Sequence, residues 1–323
     1  MMLTVTRRVP RKRLNLRPWR NFVLSVLCLV WPMHAQAAQR VWDLGQCTSR
    51  AGVAPERKIA DCTAVLTGGQ LLPDERAAIY TNRGLAYGEI GRFDLAIADY
   101  TAAIGLVPTY VPAFVDRGIA YRNTRQADRA IADYNQAIAL DPSDAYAFSN
   151  RATAYTDKKA DALAIADFTA ALHLQPTNPR TYVNRAVTYD AIGRLDLSES
   201  DYSRALVLRP GYGDALNGRC FVRTEQSLLT QALADCNAAL ALSRNAETLD
   251  SRGFVFLKFG QFTQAIHDYD DALRLSPRMP SSLYGRGVAK LRLRIGSGHA
   301  DISAALSVDP GIAAKMARYA ITP

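Results

Sequence analysis

An arginine followed by a small residue returns seven times along this chain: Arg83-Gly84, Arg117-Gly118, Arg151-Ala152, Arg185-Ala186, Arg219-Cys220, Arg252-Gly253 and Arg286-Gly287. The steps are 34, 34, 34, 34, 33 and 34 residues. So constant a period leaves little choice of architecture. Each unit has to be one supersecondary element that hides its apolar side against copies of itself. Sixteen residues after the arginine stands an aspartate, at Asp99, Asp133, Asp167, Asp201, Asp235 and Asp268; the last, Asp301, arrives after fifteen. Four residues further is an alanine, and nine further is a proline in six of the seven units, Arg244 being the exception.

Each unit divides into two helices. In the first, residues 77–90 carry Tyr80, Gly84 and Tyr87 at helical spacing until Gly91 interrupts them. Residues 94–106 bring Ala96, Tyr100 and Ala103 to one face before Pro108 stops the helix. Gly84 and Ala96 lack bulk, so the two backbones can approach to the short end of the roughly 8–10 Å range for packed helices.

The pattern Tyr80, Gly84, Tyr87, Ala96, Tyr100, Ala103, Pro108 resembles the tetratricopeptide repeat. The resemblance covers about residues 74–311, as seven copies near 77–110, 111–144, 145–178, 179–212, 213–245, 246–279 and 280–311. It implies an all-α fold, a right-handed α-solenoid (superhelix) of stacked helix-turn-helix repeats, with the first helices lining a concave groove. It also implies a non-catalytic scaffold that takes a protein or peptide ligand. The seventh copy departs most, with Lys290 in place of the aromatic and a turn, Gly296-Ser297-Gly298-His299, one residue short. It is expected to fray. Residues 312–323 are expected to be a capping helix with Lys315 and Arg318 exposed. Residues 38–73 hold a degenerate hairpin: residues 57–64 echo residues 95–102, residues 42–47 from Trp42 to Cys47 would be its first helix, and Gly68-Gly69 ends its second. This stretch resembles the amino-terminal cap of exported bacterial repeat proteins.

The arginine–aspartate pairs (Arg83/Asp99, Arg117/Asp133, Arg151/Asp167, Arg185/Asp201, Arg219/Asp235, Arg252/Asp268 and Arg286/Asp301) are expected to be ion pairs that fix the register of the two helices. An arginine that brings its own carboxylate is poorly placed to hold a ligand. Groove positions on the first helices include Asn82, Asn150 and Asn184, one per hairpin, joined by Arg122, Asn123, Asp157, Arg180, Phe221, Phe254, Lys258, Tyr284 and Arg292. Asparagines there could bond the backbone of an extended peptide; the alternative is that they merely suit an exposed helix. Recognition of chaperone tails by a carboxylate clamp wants lysines and an arginine where this chain has Thr81, Asn82, Tyr146 and Asn150.

By repeat register Cys220 takes the small position of a first helix and Cys236 the aromatic position of the second; Cys62 matches Cys236, with Cys47 opposite. Disulfides Cys47–Cys62 and Cys220–Cys236 are therefore expected, buried free thiols being the alternative. No cofactor or metal is expected, because the cysteines lack further ligands at zinc spacing. His173, His267 and His299 fall on three different second helices. No phosphate loop or nucleophile motif is present, so the sequence points away from an enzyme.

The formal net charge of +9 suggests nucleic acid until it is located. Residues 1–37 hold seven basic side chains and no acidic one, leaving 32 basic against 30 acidic residues elsewhere. A body that near neutrality lacks a footprint for phosphate backbones. The leader itself reads as a secretory signal: basic residues, an apolar run from Phe22 to Trp31, then Ala35-Gln36-Ala37 with cleavage expected after Ala37. A periplasmic or secreted chain follows, touching the membrane only through that signal. The alternatives are an uncleaved anchor for the leader, and for function a structural self-association module or a non-catalytic subunit of an envelope enzyme complex.

Overall fold

A computed structural model describes Cys47, residues 52–68 and residues 70–323. The leader and its cleavage site lie outside the described residues, as does Trp42; of residues 42–47 only Cys47 is described, and it is helical. Among the described residues there are sixteen α-helices and no strand. The chain divides into two compact units, one up to Ala120 and one from Tyr121.

The first unit holds α1 (Pro55–Gly68), α2 (Pro73–Glu89), α3 (Phe93–Leu106) and the first part of α4 (Val111–Asn123). Helix α2 starts four residues before the expected position 77. Pro73 sits in its first turn, where no amide hydrogen bond is lost, and the Glu75 carboxylate accepts from the Leu72 amide at 2.9 Å. Helix α1 packs on α2, and their cluster of Val65, Leu66 and Ile79 is closed by the Cys47–Cys62 disulfide, Cα atoms 4.7 Å apart.

The second unit continues α4 and adds α5 (Ala127–Leu140), α6 (Ala145–Asp157), α7 (Asp161–Leu174), α8 (Pro179–Ala191), α9 (Leu195–Leu208), α10 (Gly213–Glu225), α11 (Leu229–Leu242), α12 (Ala246–Lys258), α13 (Phe262–Leu275), α14 (Pro280–Arg292), α15 (Gly298–Val308) and α16 (Ile312–Arg318). From α6 to α15 each helix packs on the next, so hairpins stack in chain order. That arrangement is an α-solenoid. The Cys220–Cys236 disulfide joins α10 to α11 with Cα atoms 5.5 Å apart.

The turn inside every hairpin uses one residue in the left-handed region: Gly91, Arg125, Lys159, Gly193, Ser227, Gly260 and Arg294. Only three are glycine. The other four bear a side chain at φ of 58 to 63°, a conformation that costs about 1–2 kcal/mol without glycine.

The repeat arginine holds the stack in three directions. Its Nε and Nη2 bond both oxygens of the aspartate across the hairpin: at 2.8 and 2.8 Å for Arg83–Asp99, and at 2.7 and 2.8 Å for Arg151–Asp167 and Arg185–Asp201. Arg219–Asp235, Arg252–Asp268 and Arg286–Asp301 repeat the geometry. Its Nη1 reaches back to the second helix of the preceding hairpin, where Thr63, Thr101, Asn135, Thr169, Ser203, Asn237 and Asp270 accept from successive arginines. Aromatic rings flank the guanidinium, as Tyr182 and Tyr189 do for Arg185 at 5.9 and 5.7 Å.

The second-helix tyrosine explains the small residues. A β-carbon on Gly253 would stand 2.8 Å from the Tyr269 ring and one on Gly285 2.4 Å, so Tyr269 lies between its own hairpin and the next. The seventh hairpin, expected to fray, is formed. Gly287 and Gly298 let its backbones touch, since a β-carbon on Gly298 would lie 2.6 Å from the Gly287 carbonyl oxygen.

Candidate functional site

Within the second unit, the first helices of three successive hairpins, α10, α12 and α14, lie side by side and present Phe221, Phe254, Lys258, Tyr284 and Arg292. All five are groove residues named from the sequence. The chain's own residues 312–322 lie on them.

Helix α16 buries Ile312 and Met316 in the cluster that contains Phe254, Leu283, Tyr284 and Val288, and Ile321 follows into the same cluster. Tyr319 rests on the aromatic pair, its ring centroid 5.5 Å from Phe221 and 5.7 Å from Phe254, which are 5.6 Å from each other. Two cations fix its backbone: Lys258 Nζ donates to the Tyr319 carbonyl at 2.9 Å and Arg292 Nη2 to the Thr322 carbonyl at 3.2 Å. Tyr319 is the cap of the helix, where positive charge meets an unbonded carbonyl, and Thr322 lies in the irregular segment beyond it.

The acids of this face are less well served. Burial pushes the Glu225 carboxyl up to about 7; Asp190 adds to the shift, while Arg318 and Lys258 oppose it. Asp190 is raised as well, by burial, with Arg318 opposing. Neither forms a salt bridge among the described residues.

Beneath α16 lies a cavity of about 420 Å³. Its floor is Phe221, Asp250, Ser251, Phe254, Tyr269 and Ser281, and its roof includes Lys315, Met316 and Tyr319. Burial pushes Asp250 up to about 6 against the hydroxyls of Ser282, 2.5 Å away, and Ser281. The buried Tyr269 hydroxyl has no hydrogen-bond partner among the described residues. Lys315, though above this floor, bonds Asp309 instead at 2.7 Å.

The other named residues lie on the first helices of other hairpins. Asn150 turns its amide onto the Tyr146 carbonyl of its own helix at 2.8 Å. Its repeat position belongs to the seam between hairpins: Gly218 and Gly285 meet the preceding tyrosine there, and Asp116 in the first unit adds to the upward shift that burial gives Tyr100. Asn82 and Asn184 occupy the same register and are half-buried. Arg122 faces Asp157 at 3.7 Å, while Asn123 and Arg180 are exposed. Sequence reasoning names neither the acids Asp190 and Glu225 nor the seating of α16. Ile312, Met316 and Tyr319, spaced four and three apart, are the signal that could have marked that helix as amphipathic.

Two family profiles described as tetratricopeptide repeat match the chain, one over residues 115–179 and 252–295 and the other over 77–110 and 179–212. The chain belongs to the tetratricopeptide repeat family, and membership makes it a repeat scaffold of the protein-interaction kind. Human tetratricopeptide repeat protein 6 is 34% identical over 97 residues, 30% of this chain and 19% of that protein. Among solved structures, the APC/C hetero-tetramer Cut9-Hcn1 is similar with a TM-score of 0.63 at 18% identity, over 79% of this chain and 50% of that one. PilF of Pseudomonas aeruginosa gives 0.59 at 17% identity, over 65% of this chain and 96% of PilF. PilW, described as a widely conserved type IV pilus biogenesis factor, gives 0.59 at 18%, over 64% and 96%. The chain spans under a fifth of the curated relative and half of the Cut9-Hcn1 chain. At these identities the structures share a fold.

Proposed function

We propose that this chain is a non-catalytic adaptor of the cell envelope that binds a protein or peptide segment on the face formed by its first helices. One observation carries this reading: α10, α12 and α14 already hold a short helix, by aromatic stacking and by cations on backbone carbonyls. A surface that accepts one segment this way is built for recognition by a few anchors. Export rests on the basic, apolar and small-residue order of residues 1–37, together with two disulfides in the body of the chain.

A photoreactive residue at exposed Arg180, on a first helix, is compared with one at exposed Arg204, on a second helix. In intact envelope the first gives a discrete adduct and the second gives none. Equal labelling from both refutes the adaptor reading. Alkaline phosphatase fused after residue 50 is active if the leader exports it, and inactive if the leader does not.

A further inference from the structure

We propose that the groove of α10, α12 and α14 is a receptor for a helical segment of a partner protein carrying an aromatic residue beside basic ones, and that α16 is an imperfect occupant which such a segment displaces. This rests on the adaptor reading and names the partner's chemistry.

Three features of the groove specify the occupant. Phe221 and Phe254 leave a slot that Tyr319 fills with ring contacts on both sides, so the slot selects an aromatic side chain. Lys258 and Arg292 donate to main-chain carbonyl oxygens. Main-chain contacts of that kind are open to any helix that ends in the same place. The rest of the face is acidic: Asp190 and Glu225 lie near Arg318 without a salt bridge to it, and Arg318 is exposed.

The mismatch shows where α16 falls short. Lys315 and Arg318 both line the cavity, but Lys315 is drawn to Asp309 and Arg318 forms no salt bridge among the described residues; Asp250 is left to serine hydroxyls, and the Tyr269 hydroxyl has no partner there. A part-buried acid without a salt bridge and a buried hydroxyl without a partner carry a desolvation cost that a better occupant removes. A segment with a lysine or arginine free to enter the cavity, and a second one against Asp190 and Glu225, makes the interactions that α16 leaves unmade. The contact is intramolecular, so α16 also lowers the apparent affinity of any competitor by the fraction of time the groove is closed.

The test uses the full chain and a fluorescein-labelled synthetic peptide copying residues 311–322, which keeps Lys315, Arg318 and Tyr319 but lacks Asp309. Anisotropy is measured with the wild-type chain and with Arg318→Glu, an exposed change at the edge of the cavity that sets α16 against Asp190 and Glu225 and leaves Ile312, Met316 and Tyr319 in place. The Arg318→Glu chain binds the peptide about tenfold more tightly than wild type. A peptide with alanine at the Tyr319 position does not bind, and Glu225→Gln in the Arg318→Glu chain weakens binding about fivefold. Tyr319→Ala in the chain opens the groove by a second route. If both variant chains keep the wild-type circular dichroism and neither binds the unaltered peptide, the proposal is wrong. In that case, adducts persisting at Arg180 leave the adaptor reading standing; their loss as well removes both.

Discussion

Arg151 places two nitrogens on Asp167 and a third on Asn135, whereas Glu225 and Asp190, part-buried on the groove side of the same unit, have no salt bridge among the described residues. The two regions use polar groups in opposite ways. In the seams each acceptor that repeats at the period of the chain meets the arginine that repeats with it, and the result is a fixed register. Under α16 the acids Asp190 and Glu225 follow no period and form no salt bridge among the described residues, and the periodic Tyr269 leaves its hydroxyl without a partner there. Satisfied polar groups specify structure; unsatisfied ones wait for a ligand.

The strongest way to break this comparison is Arg151→Ala. It strands the carboxylate of Asp167 and removes the link to Asn135. The expected loss is roughly 3–4 kcal/mol, discounted for partial exposure, and read as a lower denaturant midpoint. An unchanged midpoint would mean that the ladder is ornamental.

Removing the staple in the fifth hairpin comes next. Closing its sequence separation of 16 residues is worth about 3 kcal/mol by chain entropy. Cys220→Ala with Cys236→Ala should lower the midpoint accordingly. Both disulfides together require that a thiol titration of the unreduced, denatured mature protein find no reactive group; four would overturn the pairing.

Lys159→Gly works in the opposite direction. It relieves a left-handed residue at φ 58° but frees the unfolded chain, so a net gain of about 0.5–1 kcal/mol is expected. Destabilisation would show that the lysine side chain contributes more than its backbone costs.

The smallest effect sharpens the groove side. Glu225 is raised from 4.5 to about 7, so the folded chain holds a proton that the unfolded chain has released. Its contribution to stability is therefore greatest below pH 4.5 and is lost as pH rises to about 7. Glu225→Gln should raise the melting temperature at pH 8 and leave it nearly unchanged at pH 4.5. The reverse pattern would mean that Arg318 and Lys258 outweigh burial.

Much of the scaffold was legible because it is periodic. The helix pairs, the arginine–aspartate partners and the small residues against tyrosine all recur at one spacing, and repetition separates signal from accident. The backward contact of the arginine recurs too, yet its acceptors vary among Thr101, Asn135, Ser203 and Asp270. They share a lone pair and no identity, so residue-by-residue comparison passes over them. Asn150 is a groove candidate because its register faces inward on a lone helix; its side-chain amide instead bonds the Tyr146 carbonyl one turn back on the same helix. The seating of α16 depends on three stacked hairpins forming one surface, which the spacing of Ile312, Met316 and Tyr319 cannot reveal.

Amide hydrogen exchange along residues 312–321, with and without the peptide copying residues 311–322, tests whether the groove is a receptor or a closed core. Displacement of α16 predicts slow exchange in the free chain and faster exchange there on adding the peptide, while α10, α12 and α14 stay protected. Exchange in α16 that ignores saturating peptide would make it a permanent part of the fold and contradict the account.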